Sequence, residues 1–141
     1  MLKVYGRRNS ANVQKVMWLI GEIGLPHEHV SVGGSFGGLD SPEYGALNPN
    51  RKVPAIDDGG VTVWESHAIM RYLAARYAPH LYPASPVERA HIEPWMDWSQ
   101  TAFQPDFLNQ VFWAYYRTPE PDRDWKIIRD GLARTERDLR M

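Results

Sequence analysis

Apolar positions change period several times along the chain, and each change marks an element. Leu2-Lys3-Val4-Tyr5 alternates over four residues before Gly6 and the polar run Arg7-Arg8-Asn9-Ser10, the pattern of a short strand entering a loop. From Ala11 onward Val13, Val16, Met17, Ile20 and Ile23 recur at helical spacing, with Asn9 or Ser10 placed to cap the start and Gly24-Leu25-Pro26 to stop it. His27 to Val32 alternates again, and a helix between two short strands predicts a parallel βαβ unit. After the loop Gly33 to Gly38, Ser41-Pro42-Glu43-Tyr44 reads as the start of a short helix and Asn48-Pro49-Asn50 as a turn. Val53–Asp57 and Val61–Trp64 flank Asp58-Gly59-Gly60, a hairpin pattern. Glu65-Ser66 then opens a helix with an apolar stripe at Ala68, Ile69, Tyr72, Leu73 and Ala75, ending before Pro79.

Beyond Ala78 the character shifts. Pro79, Pro83 and Pro86 in close succession predict a linker over 79–86. Residues 87–116 are aromatic-rich with helical spacing at Ile92, Trp95, Met96, Ser99 and Phe103, and Pro94 and Pro105 predict a late start or a kink. Thr118-Pro119-Glu120-Pro121 breaks the chain, and Trp125, Ile128, Leu132 and Leu139 predict a last helix. Two helices cannot enclose so many apolar aromatic side chains, which predicts either that the chain is a fragment or that a partner covers the exposed face. The expected order is an α/β domain over 1–78, the linker, and an all-α part over 87–141.

Composition narrows the function. The 141 residues carry 16 basic and 17 acidic side chains with the signs interspersed, so no basic stripe tracks phosphates and nucleic acid is not the expected partner. No apolar run is long enough to cross a membrane and no secretory leader is recognisable, which makes the cytoplasm the expected compartment and a membrane an unexpected partner. There is no cysteine, so any thiol chemistry must borrow its thiol. His27 and His29 share a strand face without carboxylates in register, and no metal is expected there. The glycine run 33–38 lacks a Gly-Lys-Ser/Thr ending and reads as a flap, not a phosphate loop.

Two serines stand where strands give way to helices. Ser10 combines a hydroxyl with the free N–H groups of a helix start, a setting that can stabilise a thiolate or simply cap the helix. Arg8 and Asn12 lie near enough to join it. Glu65-Ser66 pairs a carboxylate for an ammonium with a hydroxyl and N–H groups for a carboxylate, which suits a zwitterion and equally suits a helix cap. Pro54 at the head of a strand must stand at an edge, at a strand start or on a cis bond, and a cis bond would leave the Val53 backbone open to an extended peptide. Among the aromatics past Pro105, the residues Phe107, Trp113 and Tyr116 are candidates to wall an apolar pocket, against the alternative that they are core.

Ser10-Ala11-Asn12-Val13-Gln14-Lys15-Val16, Asn48-Pro49-Asn50-Arg51-Lys52-Val53-Pro54 and Trp64-Glu65-Ser66-His67-Ala68-Ile69 resemble the glutathione-site segments of soluble, cytosolic-type glutathione S-transferases of the bacterial theta-like or beta-like kind. The resemblance implies a thioredoxin-like domain, βαβ-α-ββα, followed by a helical domain that is truncated relative to the family. It implies that Val53, before a cis Pro54, pairs its backbone with the cysteinyl part of glutathione, that Glu65 and Ser66 hold the γ-glutamyl end, and that Lys52 with Arg51 approaches the glycyl carboxylate. Ser10 matches the serine that lowers the thiol pKa, with Asn12 as rival or helper. Glutathione is then the co-substrate, a small apolar electrophile its partner, detoxification the setting and a homodimer the expected assembly, with no metal. A glutathione-dependent disulfide or peroxide reductase and a non-catalytic binding module of the same fold are the alternative readings.

Overall fold

In the computed structural model, which describes residues 1–141, β1 (Leu2–Tyr5) lies inside a four-stranded sheet of order β2-β1-β3-β4. Helix α1 (Ala11–Ile23) carries the chain from β1 to β2 (His27–Val30), and the two strands pair in parallel, as the βαβ pattern predicts. β3 (Ala55–Asp58) runs antiparallel to β1, and β4 (Val61–Trp64) antiparallel to β3 through the two-residue Gly59–Gly60 turn. The short helix α2 (Pro42–Leu47) precedes β3, and α3 (Ser66–Tyr77) follows β4. This is the thioredoxin-like arrangement expected from the sequence. The chain divides into two units, Met1–Pro86 and Val87–Met141.

The core of the first unit forms where α1 and α3 bury their apolar stripes on the sheet: Leu2, Val4, Val16, Ile20, Ile56, Ile69 and Leu73 make one cluster. Each such side chain contributes about 1.5–3 kcal/mol by leaving water. Four details differ from the sequence pattern. β2 ends at Val30 and not Val32, because its one neighbour in the sheet, β1, ends at Tyr5 opposite Val30. β3 starts at Ala55 and not Val53, because Pro54 has no N–H to give to the ladder. It extends through Asp58, which pairs with both Leu2 and Val61. In α3 the buried face is Ser66, His67, Ile69, Leu73 and Ala74, while Ala68 and Ala75 face outward; alanine is too small to fix a helix's rotation against bulkier neighbours.

Polar contacts pin both ends of this unit. At one end the buried Asp58 carboxylate accepts hydrogen bonds from the hydroxyls of Tyr72 (2.8 Å) and Tyr77 (2.7 Å), with Arg76 Nε at 3.4 Å. Burial alone would raise its pKa; the two tyrosines and Arg76 outweigh burial and hold it below the usual value. At the other end a fully buried Asn48 organises the approach to β3. Its Nδ2 donates to the Lys52 carbonyl (2.7 Å), its Oδ1 accepts from the Asn50 N–H (2.9 Å), and the Tyr44 hydroxyl donates to the same Lys52 carbonyl (2.7 Å). Burial pushes the Tyr44 hydroxyl up to about 12, against a smaller opposing effect of Asn48, so it remains a donor at any physiological pH.

Arg51 adds a brace to this loop. Its guanidinium donates from one nitrogen to the carbonyls of Leu39 (2.8 Å) and Ser41 (3.0 Å) and lies across Gly45 of α2. A Cβ on Gly45 would sit 2.5 Å from an Arg51 terminal nitrogen, so any larger residue there would push the guanidinium aside. The Ser41 hydroxyl accepts the Tyr44 N–H (3.1 Å) and caps α2 with Pro42 in its first turn, as the sequence predicts.

In the second unit the chain is helical from Glu93 to Tyr116, through α5 (Glu93–Trp98), wide π-type turns over Ser99–Phe103 and Pro105–Trp113, and α6 (Ala114–Tyr116); the one-turn α4 (Pro86–Arg89) precedes it. Pro94 falls in the first turn of α5, the late start expected of it. Pro105 opens the second wide stretch: it has no N–H for an ordinary helical bond, and a change of hydrogen-bond spacing absorbs the mismatch without breaking the helix. α7 (Trp125–Leu139) is capped by the Asp124 carboxylate, which accepts the N–H groups of Lys126 and Ile127. It packs on the second wide stretch at Gly131, where a Cβ would come within 2.9 Å of Gln110 Cβ. Its buried face is Ile128, Gly131, Thr135 and Asp138; of the apolar positions in the predicted stripe, Trp125, Leu132 and Leu139 stand exposed. Arg134 ties the two helices by donating to Asp106 (2.8 Å) and Gln110.

Two measurements check these braces. Asp58→Asn lowers stability at pH 7 by about 1.5–3 kcal/mol, the value of hydrogen bonds to a charged acceptor. The folded-state pKa of Asp58 is lowered, so its contribution is complete above the unfolded carboxylate value of about 3.9 and disappears as pH falls through the folded value; chemical denaturation from pH 7 downward should show wild type and variant converging in acid. Gly45→Ala changes sign with background. In wild type it displaces the Arg51 guanidinium and lowers stability, whereas in Arg51→Ala it stabilises by up to about 1 kcal/mol through helix propensity, as a thermal double-mutant cycle would read.

Candidate functional site

The strand register decides which loops meet. Tyr5 at the end of β1 pairs with Ala55 at the start of β3, which pairs with Trp64 at the end of β4. The loop into α1, the segment before β3 and the turn into α3 therefore emerge at the same end of the sheet. A small open cleft lies there, lined by Asn12, Asn48, Lys52, Val53, Pro54, Glu65 and Ser66.

Six residues picked out in the sequence thus share one cleft: Asn12, Lys52, Val53, Pro54, Glu65 and Ser66. The Val53–Pro54 bond is cis, and Val53 lies outside the paired register of β3, which runs from Ala55 to Asp58. Lys52 is exposed, and its carbonyl is the acceptor shared by Asn48 and Tyr44, so the backbone at the cleft wall is held by two buried donors. Ser66 is buried at the first position of α3, with backbone N–H groups of a helix start around it.

Glu65 precedes α3 with φ 68° and ψ 121°, a conformation that costs a non-glycine residue on the order of 1–3 kcal/mol. The surrounding contacts hold it there: its carbonyl accepts the Ile69 N–H (2.9 Å), and its carboxylate is within 3.4 Å of Asn50 Nδ2. Its side chain makes no capping bond to α3 and remains directed to other partners.

Ser10 stands at the start of α1 and is 8% exposed. Its backbone does what a cap requires, accepting the Gln14 N–H (2.9 Å), but its hydroxyl makes no capping bond. It is not among the residues lining the cleft, whereas Asn12 is. Arg51 is placed differently from Lys52: its φ is 52° and its guanidinium is engaged by the carbonyls of Leu39 and Ser41. Phe107, Trp113 and Tyr116 belong to the second unit. Phe107 stacks on Phe103 (5.6 Å between ring centroids), Arg117 lies over Trp113 (4.8 Å), and Tyr116 packs on Phe112 (5.1 Å) and Tyr115 (4.9 Å). The glycine run folds back on itself, with the Gly33 N–H donating to the Gly37 carbonyl (2.7 Å).

Three residues of this neighbourhood were not singled out from the sequence. Asn48 sits in an Asn-Pro-Asn string that reads as a solvated turn; nothing local reveals that its amide is buried. Lys15 falls between the buried Val13 and Val16, and a lysine there is expected to point to water. Instead its Nζ lies 3.0 Å from Nε2 of the buried His67, joining α1 to the first turn of α3. Burial lowers the Lys15 pKa to about 8, with the Glu65 carboxylate pulling the other way.

Comparison with known proteins places this geometry. Residues 1–75 match the family model described as glutathione S-transferase, N-terminal domain. Glutathione S-transferase GstB of Escherichia coli K12 is 39% identical over 131 residues, which cover 91% of this chain and 62% of the relative. Glutathione S-transferase 3 of Zea mays is 38% identical over 114 residues, 79% of this chain and 51% of the relative. The chain therefore spans less than two thirds of the length of these curated relatives. Among solved structures, the theta class glutathione S-transferase of Xanthomonas axonopodis pv. citri with glutathione bound superposes with a TM-score of 0.91 at 48% identity, over 98% of this chain and 66% of that one. With a βαβ-α-ββα unit, a cleft at the register-matched end of its sheet and a family match over its first 75 residues, this chain belongs to the glutathione S-transferase family.

Proposed function

We propose that this chain binds reduced glutathione in the cleft and activates its thiol for attack on a small apolar electrophile. The observation that carries the reading is the convergence of Lys52, Val53, Glu65 and Ser66 on one open cleft beside the start of α1. The Val53 N–H and C=O take the cysteinyl backbone of the tripeptide as an added strand would. Glu65 accepts the γ-glutamyl ammonium, and the Ser66 hydroxyl with the first N–H groups of α3 takes the adjoining carboxylate. Lys52 supplies the cation for the glycyl carboxylate; with Arg51 engaged by Leu39 and Ser41, Lys52 is the stronger candidate.

The Ser10 hydroxyl, uncommitted to capping, donates to the sulfur at a helix N-terminus, where the dipole favours the thiolate. Asn12, which lines the cleft, orients the same end of the ligand. The reaction is then a displacement. The thiol proton passes to solvent, the carbon–sulfur bond forms, and the leaving group, chloride in the case of a chloroarene, departs with the electrons of the broken bond. Residues 1–78 act as the glutathione-binding domain, with 79–86 as linker; Phe107, Trp113 and Tyr116 of the helical part wall the electrophile site. The relatives' names support the transferase part of this reading; a detoxifying role, a homodimer and a cytoplasmic location complete the proposal.

Retention on immobilised glutathione and a thermal shift with the free tripeptide check binding. Glu65→Gln should abolish or greatly weaken both. Ser10→Ala should lower kcat for a chloroarene by roughly 10- to 100-fold, the loss of one hydrogen bond to a charged group, while the KM for glutathione changes much less. A Ser10→Ala protein with full kcat would move the thiol-activating role to Asn12.

A further inference from the structure

Lys15 belongs to no step above, yet it stands behind the residues that take the amino-acid end of the ligand. It lies one helical turn beyond the cleft-lining Asn12, and its Nζ is 3.0 Å from Nε2 of His67, the residue that follows Ser66. An ammonium can only donate, so this bond requires a neutral imidazole with its proton on Nδ1. The groups that act on Lys15 come from the start of α3, which packs on α1: the His67 ring at 3.0 Å and the Glu65 carboxylate, whose charge opposes the effect of burial, with Arg71 one turn after His67 on the same helix. On α1 itself the positions one turn away, Ala11, Asn12, Trp18 and Leu19, carry no charge.

Resting on the glutathione reading, we propose that Lys15, bridged to His67, is a proton-releasing positioning residue: it neutralises Glu65 while the cleft is empty and gives up its proton when the ligand's ammonium arrives there. A second cation beside one carboxylate, next to a half-buried lysine, is relieved at least cost by losing a proton from the cation that water solvates less. Burial brings Lys15 to about 8, which places that loss within reach of neutral pH. The sign follows from linkage. A ligand that prefers the neutral lysine releases a proton on binding, so its affinity rises with pH between about 7 and 8.5.

Calorimetry with S-methylglutathione tests this, because that probe has the ammonium and no thiol proton to confuse the count. Titrations at pH 8 in phosphate and in Tris, which differ in ionisation heat, read the protons released. Wild type should release roughly half a proton more than Lys15→Gln, which keeps a donor for His67 but cannot titrate. Lys15→Arg keeps the charge and cannot lose it, so it should bind more weakly than wild type at pH 8 and release no more than Lys15→Gln; it also serves as the comparison should Lys15→Gln fail to fold. Equal proton release by wild type and either folded variant would overturn the role of Lys15 and leave the glutathione site standing. No binding of S-methylglutathione by wild type would overturn both.

Discussion

Everything at the cleft depends on the register of β3 between β1 and β4. β3 runs antiparallel to both, so β1 and β4 end on the same side and release α1 and α3 from the same sheet edge, while β3 begins there. Tyr5, Ala55 and Trp64 mark that line across the sheet. A slip of one residue would turn the wholly buried Ile56 out of the core and separate the Val53 backbone from Glu65 and Ser66 at the same stroke. The apolar cluster of Val4, Val16, Ile20, Ile56, Ile69 and Leu73 therefore does two things at once: it stabilises the unit and it fixes where the site can be.

Around that register the polar groups divide their work by position. At the end away from the cleft, Asp58 draws in Tyr72, Tyr77 and Arg76 from the C-terminal half of α3. At the cleft end, Asn48 and Tyr44 hold the Lys52 carbonyl while Arg51 braces the loop against Leu39 and Ser41. α3 is thus anchored at its far end by a charge-assisted cluster, and its near end carries a residue in an unfavourable conformation, Glu65. Strain at the site is affordable because neighbouring contacts determine the backbone on both sides of it.

Much of the fold was legible in the sequence because local rules agreed with one another. The period of α1, its glycine and proline stop, the hairpin glycines and the proline before β3 each point to the element that forms. The second unit was less so. A proline inside a helical pattern signals a disturbance but not its kind, and the wide turns from Ser99 to Trp113 arise from how hydrogen bonds rearrange around it. In α7 the exposed Trp125, Leu132 and Leu139 carry more apolar signal than the buried Gly131, Thr135 and Asp138, so composition misjudged the packed face; Gly131 lies inward because only a hydrogen fits against Gln110.

The sequence by itself determined which chemical groups stand at element boundaries: a serine before α1, a proline before β3 and a glutamate-serine pair before α3, each set by residue type and local spacing. Tertiary structure decided which of them meet and what each is free to do. Lys52 and Arg51 are neighbours of like charge in the chain, yet one faces the cleft and the other is held by the carbonyls of Leu39 and Ser41. Asn48 becomes a buried organiser and Lys15 a half-buried cation against His67, though both look like solvated residues in sequence. The physical reason is that hydrogen-bond partners and burial are properties of distances across the fold, between residues as far apart as Lys15 and His67, and no local pattern encodes them.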